Sequence, residues 1–148
     1  MLQEINHLRE IAEHCRRGNS LDPKLANWLG SCLDEFLSRR AAHMDEAFGI
    51  RAARGGVSWR MEQALRTRDS ALRTLARQLD PSLSWRARAR RISQLSARYA
   101  ASAWHLDKMR SEMPALYAGT YKEQLWIAFQ SGAPMPIGER RLSELIAD

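Results

Sequence analysis

One short stretch near the N-terminus has side chains at a metal-ligand spacing. His7, Glu10 and His14 stand at positions i, i+3 and i+7, so a helix would place all three on one face. A structural zinc site needs about four ligands, and no other segment supplies an obvious fourth. The stripe also borders the apolar face of the helix instead of lying within it. An exposed polar helix face explains the pattern equally well, and we expect neither a metal nor a cofactor.

Other catalytic patterns are missing from the sequence. There is no P-loop, no dinucleotide-binding glycine pattern, no His-Glu-x-x-His and no Cys-x-x-Cys. The adjacent acidic pairs Asp34-Glu35 and Asp45-Glu46 would diverge on a helix, so neither pair can act as an acid/base couple. We therefore predict a protein that is not an enzyme.

Arginine is the chemically active side chain that the sequence concentrates. Residues 51–110 contain fourteen Lys/Arg against four Asp/Glu, whereas residues 1–50 contain six against eight and residues 111–148 three against five. Thirteen of the fourteen central cations are arginine, whose planar guanidinium matches phosphate bidentately. This asymmetry predicts a phosphate-binding surface, although a solvated basic face would have the same composition.

Helical spacing groups these arginines into a surface. Three of them, spaced seven and four residues apart, fall on one narrow face of a first central helix. Two pairs occupy opposite flanks of the next helix, and the short connection at Asp80-Pro81 would let the two helices merge their basic faces. The predicted nucleic-acid-binding residues are Arg66, Arg73 and Arg77 on the first helix, and Arg86, Arg90, Arg91 and Arg98 on the second.

Cap and breaker residues divide the chain into helices. Asp22 precedes Pro23, Ser84 opens an arginine-rich helix, and Thr120 forms a capping box with Glu123. Apolar stripes at helical spacing extend these starts, and no strand-like alternation competes with them. The predicted helices span 2–17, 23–40, 44–48, 58–79, 84–109, 120–130 and 138–147. We predict an all-α fold: an irregular bundle of five to seven helices in a single domain.

Within that single domain, residues 1–148, the charge defines three parts. Residues 1–50 form an acidic-leaning helical pair, residues 51–110 a basic helical pair and residues 111–148 a C-terminal pair. The last pair has the outline of a helix-turn-helix, with Arg140 and Arg141 on a possible recognition helix. Its connection, 131–137, exceeds the usual three or four residues, and acidic residues flank those arginines. Packing of this pair into the core is the alternative.

The same stripes predict where the tryptophans lie. Trp28, Trp85 and Trp126 fall on inward-facing stripes, so we expect them in the core. Trp59 and Trp104 fall off the main stripes and are the candidates for exposure and base stacking.

Cysteine usage and hydropathy indicate the compartment. Cys15 and Cys32 lie on apolar stripes, which predicts two buried thiols and no disulfide framework. No apolar run approaches the roughly 18 residues of a membrane span. The start of the chain, residues 1–5, lacks the basic and apolar segments of a signal peptide. We expect a cytoplasmic protein with no membrane partner.

Four short stretches together suggest a kinship. They are Leu-Asp-Pro at 21–23, Ser-Trp-Arg at 58–60, Arg-Ala-Arg-Ala-Arg-Arg-Ile at 86–92 and Arg-Tyr-Ala-Ala-Ser-Ala-Trp at 98–104. In combination they resemble uncharacterised small helical proteins of proteobacterial prophages and mobile islands, over most of the chain. The resemblance carries no activity, so it assigns no residue a role. It implies a phage-type regulator or DNA-binding accessory, or an inhibitor of a host protein or nucleoprotein complex.

These observations lead to one expected function and one alternative. We expect a nucleic-acid-binding accessory or regulatory protein, with DNA the favoured partner, that uses the Arg-rich helical surface. The alternative is a protein-interaction or inhibitor module whose arginines meet an acidic host protein. No coiled-coil seam indicates an oligomeric state.

Overall fold

Helices provide all the regular secondary structure in the part of the chain that is described. The computed structural model describes residues 2–147, which contain eight α-helices, a short 3₁₀ helix at Ala115–Tyr117 and no strand. The α-helices are α1 (Leu2–Arg17), α2 (Pro23–Leu37), α3 (Met44–Ala47), α4 (Trp59–Gln78), α5 (Trp85–Ala101), α6 (Trp104–Asp107), α7 (Tyr121–Gln130) and α8 (Glu139–Ala147). The all-α prediction is confirmed. Within residues 2–147, none of these helices has the length and apolar character of a membrane span.

The number of helices exceeds the predicted five to seven because the predicted helix over 84–109 is interrupted. It ends at Ala101, and Trp104–Asp107 forms a separate single turn. At the break, the Ser102 hydroxyl donates to the Arg98 carbonyl at 2.7 Å, and the Ser102 amide donates to the Tyr99 carbonyl instead. In a continuous α-helix the Arg98 carbonyl would accept from the Ser102 amide, but here the Ser102 hydroxyl donates to it instead.

The predicted N-cap residues of three helices are confirmed, but the predicted capping box at Thr120 is wrong in its second half, because Glu123 Oε2 accepts the amide of Gly119 at 2.6 Å and not that of Thr120. The side-chain oxygens of Asp22, Ser84 and Thr120 each accept a backbone N–H from the first turn of α2, α5 and α7, at 2.9, 3.2 and 3.3 Å. Each bond satisfies a backbone donor that has no partner within its helix. Local sequence chemistry therefore determines where these helices begin.

The described residues form two compact units, divided between Trp59 and Arg60. The first contains α1, α2 and α3, and its buried apolar residues are Ile5, Ile11, Leu25, Cys32, Ala41 and Phe48. Trp28 is half-buried there, with its ring centroid 5.0 Å from that of His7 and 5.7 Å from that of Phe48. Cys15 is exposed, so the prediction of two buried thiols is wrong for this residue. It lies in the last turn of α1, beyond the buried residues of that helix.

The second unit packs α4, α5, α7 and α8 around one apolar core. Its largest fully buried aliphatic side chains are Leu72 and Leu75 from α4, Ile92 from α5, Leu125 from α7 and Leu142 from α8. Burial of each such side chain contributes about 1.5–3 kcal/mol to the hydrophobic stabilisation. Among the described helices, α5 and α8 pack against each other most extensively. α4, α5 and α8 each turn an opposite face to solvent, whereas every residue of α7 except Tyr121 is buried or half-buried.

A buried carboxylate joins the elements around the end of α5. Asp107 accepts hydrogen bonds from the hydroxyls of Tyr99 and Tyr117 on one oxygen, Oδ2, at 2.6 and 2.8 Å. Its Oδ1 lies 3.4 Å from Nε of Arg110, and its backbone carbonyl accepts from Gln130 of α7 at 3.1 Å. Because the side chain is almost fully buried, these donors replace the water that it loses.

A buried arginine performs a similar role beside α4. Arg68 is 5% exposed and pairs with Asp69, with Nε and Nη2 at 2.8 and 2.7 Å from Oδ1. Its Nη1 donates to the Pro134 carbonyl at 3.2 Å. This guanidinium therefore holds the connection between α7 and α8 against α4 and faces no solvent.

We predict that removal of the Asp107 carboxylate destabilises the second unit. Asp107→Ala leaves the hydroxyls of Tyr99 and Tyr117 buried without an acceptor, which should lower the free energy of unfolding by about 2–4 kcal/mol. Urea denaturation followed by circular dichroism measures the change. The control is Glu112→Ala, which removes an exposed acid without a buried partner and should shift stability by less than about 0.5 kcal/mol. Equal stability of the two variants would contradict this role.

Tyr99 and Tyr117 should also make the protein less stable at alkaline pH. Burial first, and then hydrogen bonding to Asp107, raise the pKa of Tyr99 and Tyr117 above their ordinary value of about 10. The folded chain keeps protons that the unfolded chain releases, so the free energy of unfolding should fall as the pH rises above about 10. Urea denaturation at increasing pH should show a shallower fall for Tyr99→Phe than for the parent. Parallel curves would exclude Tyr99 as the cause.

Candidate nucleic-acid interface

The turn between α4 and α5, residues 79–84, is held by its own polar groups. Asp80 Oδ1 accepts the Ser82 amide at 2.8 Å, and this backbone hydrogen bond lowers the pKa of the Asp80 carboxyl. Ser84 then caps α5. Both residues favour this local geometry because their short side chains reach backbone amides close in sequence. The direction in which α5 leaves the turn is therefore set by local hydrogen bonds.

Arg88 fastens the turn from within α5. Its Nη2, Nε and Nη1 donate to the carbonyls of Pro81, Leu83 and Ala76 at 3.0, 3.1 and 3.3 Å. Its Cζ also lies 4.7 Å from the centroid of the Trp85 ring, a cation–π distance. The guanidinium is thus engaged on three carbonyls and one aromatic face. Arg88 supports the site and is not one of its binding groups.

Trp85 is exposed at this turn, so the prediction that it lies in the core is wrong. Its exposed fraction is 47%, and it lines a small cavity with Arg73, Arg77 and the last residues of α8. Helical spacing gave its direction around α5 correctly, but Trp85 is the first residue of that helix and projects beyond the end of the core. The signal that could have identified the site is the i, i+3 spacing of Trp85 and Arg88.

Trp104, a candidate for exposure, is half-buried instead. Its ring lies 5.2 Å from that of Phe129 and 6.2 Å from that of Tyr99. Because the helix is interrupted after Ala101, Trp104 points in a different direction from the one it would have in a continuous helix. Trp59 and Trp126 are also half-buried. Trp85 is consequently the only exposed tryptophan within residues 2–147.

The solvent-facing side of α5 contains four of the predicted arginines. Arg86, Arg90, Arg91 and Arg98 are all exposed, with Arg86 and Arg90 on one flank of the side opposite the buried residues and Arg91 and Arg98 on the other flank. Arg90 forms an ion pair with Glu139 of α8, with 3.5 Å between Nε and Oε1. Among the described residues, the other three have no ion pair with a carboxylate. The predicted grouping on α5 is present, with three uncompensated guanidinium groups.

The three arginines predicted on α4 share a face but differ in their partners. Arg66 is exposed and pairs with Glu62 at 2.9 Å. Arg73 is half-buried, and its Nε donates to the Leu145 carbonyl at 3.1 Å, which satisfies an acceptor at the C-terminal end of α8. Arg77 is exposed and has no ion pair with a described carboxylate. Of this group, Arg77 therefore joins the arginines of α5 as an available cation.

The possible recognition helix is α8, and its arginines are partly neutralised. Arg140 and Arg141 lie 3.4 and 3.5 Å from Glu144 on the same helix. The main packing partner of α8 is α5, whereas a helix-turn-helix would pair it with α7. The two arginines thus sit beside Glu139 and Glu144, an unfavourable surface for phosphate.

Two of the three residues in the metal-ligand stripe of α1 make other contacts. His14 Nδ1 is 2.8 Å from the Ser20 carbonyl, and the His7 ring packs edge-on against Trp28. Between residues 2 and 147 there is no group of three His, Cys, Asp or Glu placed to hold a metal ion. The α1 stripe therefore serves local structure in the first unit.

Comparison with known proteins gives no relative: no family model matches the chain, and no curated protein or solved structure is significantly similar to it. The function of the chain must therefore be inferred from the site itself.

We predict that Arg88 contributes stability and that its exposed neighbour Arg86 does not. Arg88→Ala removes three hydrogen bonds to carbonyls, so the free energy of unfolding should fall by about 2 kcal/mol. Arg86→Ala, on the same helix and exposed, should change it by less than about 0.5 kcal/mol. Urea denaturation measures both. Equal effects of the two substitutions would mean that the Arg88 contacts do not hold the turn.

Proposed function

We propose that this chain is a non-enzymatic nucleic-acid-binding protein that contacts phosphates through exposed arginines of α4 and α5. One observation supports this most directly: four exposed arginines in this pair of helices form no ion pair with a described carboxylate. They are Arg77, Arg86, Arg91 and Arg98. DNA is the favoured partner, and the binding serves an accessory or regulatory role.

The lack of acidic neighbours matters because an internal carboxylate competes with phosphate for the same guanidinium. Arg66 and Arg90 would have to give up or share Glu62 and Glu139. An unpaired arginine loses only water and counterions on binding, and its planar fork fits two phosphate oxygens. The four unpaired arginines are therefore the favoured phosphate contacts.

These contacts favour affinity over sequence recognition. Arginines on the exposed face of a helix meet a phosphate backbone without a defined approach to base edges, and such contacts position a duplex without specifying its sequence. The central segment provides a positive field, since residues 51–110 contain fourteen cations against four acids. We therefore expect binding that depends strongly on salt and weakly on sequence.

The test replaces the four unpaired arginines by glutamine and measures affinity for duplex DNA over a range of salt concentrations. If each arginine neutralises one phosphate, the slope of log K against log salt should become shallower by about 3 to 4. Glutamine keeps helix propensity, and these side chains lie outside the core, so the fold should persist.

The matched control removes the same number of charges from the first unit, at Arg16, Arg17, Arg39 and Arg40. It should keep most of the salt dependence. A second control, Arg140→Gln with Arg141→Gln, tests the recognition-helix alternative, which requires this pair to matter more than the central four. Unchanged affinity and slope in the quadruple variant would refute the proposed surface.

An acidic protein partner, such as a host protein, is the second candidate, and one surface feature favours it. A groove of ≈410 Å³ is lined by the apolar residues Leu79, Leu83 and Ala87, and its polar border consists of Arg90, Arg91, Gln94 and one acid, Asp80. Apolar residues edged by cations suit an amphipathic acidic helix. Absence of binding to duplex DNA, single-stranded DNA and RNA at low salt would favour this candidate over nucleic acid.

A further inference from the structure

Trp85 has the properties of a base-stacking platform. It is exposed in the second unit, and one of its faces lies against the Arg88 guanidinium. Arg88 is itself held by three carbonyl groups of the turn and of α4. The indole therefore rests on a support that is already ordered before any ligand arrives. Such preorganisation lowers the entropic cost of stacking.

The surroundings of the ring provide a phosphate contact. Trp85 lines a shallow cavity of ≈130 Å³ together with Arg73, Arg77, Ile146 and Ala147. The Nε of Arg73 donates a hydrogen bond to the Leu145 carbonyl, but Arg77 has no ion pair with any described carboxylate. An aromatic surface and an available guanidinium thus border the same depression.

From this juxtaposition we infer that the protein binds single-stranded nucleic acid, with an unpaired base stacked on Trp85 and a neighbouring phosphate on Arg77. The inference rests on the proposed function and specifies its ligand. In a duplex each base is stacked between adjacent bases, so its faces are not accessible to an exposed indole. In a single strand each base offers a free face, and stacking tolerates any sequence.

The exposed arginines of α5 lie on other sides of that helix than Trp85. Arg86 follows Trp85 directly, and Arg91 and Arg98 extend the exposed side of the helix. A strand anchored by a base at Trp85 therefore meets Arg77 first, and Arg91 and Arg98 act on it through the positive field of the unit. Stacking supplies a contact that salt does not screen, whereas the arginines supply the salt-dependent part.

The experiment compares three fluorescein-labelled probes of equal length at one salt concentration: oligothymidylate, an abasic deoxyribose-phosphate strand and a DNA duplex. Trp85→Ala should weaken oligothymidylate binding by at least about fivefold, because stacking of a base is lost. Its affinity for the abasic strand and the duplex should change by less than about twofold, because the phosphate contacts remain. Oligouridylate in place of oligothymidylate should give the same loss.

Two further measurements guard against a simple folding defect. Trp85→Phe keeps a smaller ring and should bind oligothymidylate with intermediate affinity. In the parent, oligothymidylate should quench tryptophan fluorescence, and Trp85→Phe should abolish most of that quenching. The control Leu106→Ala removes another exposed apolar side chain of the same unit and should alter none of these values.

The outcomes separate this inference from the proposed function. If Trp85→Ala binds all three probes as the parent does, or if it weakens them equally, the platform is refuted while nucleic-acid binding stands. If the parent binds none of the probes at low salt, both the platform and the proposed function are refuted. A selective loss for the base-containing strand supports the platform.

Discussion

The Asp107 carboxylate is the interaction on which the second unit most depends. A carboxylate removed from water is costly unless donors replace the water, and here two phenol hydroxyls share Oδ2 while Arg110 approaches Oδ1. Tyr99 belongs to α5, and Tyr117 lies in the 3₁₀ helix just before α7. The carboxylate thus fixes the end of α5 relative to α7. Because the basic face is the outer side of α5, this buried contact holds it in place at the C-terminal end of the helix, as the hydrogen bonds of the 79–84 turn do at the other end.

The arginines of this unit divide into structural and available groups, which their number in the sequence does not reveal. Three of them, Arg68, Arg73 and Arg88, donate hydrogen bonds to backbone carbonyls and so connect one segment of the chain to another. Guanidinium suits this use because it has several donors in a fixed plane and stays charged when partly buried. The surface charge available to a ligand is therefore smaller than the composition implies.

The structural arginines also prepare the surface for the available ones. Arg88 holds the turn and the ring of Trp85, and Arg73 holds the end of α8 beside the same cavity. A ligand meeting this region encounters a backbone and an indole that are already in position, with Arg77 next to them. The hydrogen bonds that stabilise this unit thus also hold in position the groups that we propose for binding.

Sequence alone determined the helical class, the starts of α2, α5 and α7, and the grouping of arginines on the outer faces of α4 and α5. Those features depend on neighbours within about four residues along the chain, through caps and helical periodicity. Tertiary structure decided that Trp85 is exposed, that Trp104 is half-buried and that Arg73 meets a carbonyl of α8. Helical spacing gives the direction of a side chain around its axis but not how deep it lies or which distant group meets it. Depth and partners depend on where the other helices end, and that is settled only when the chain has folded.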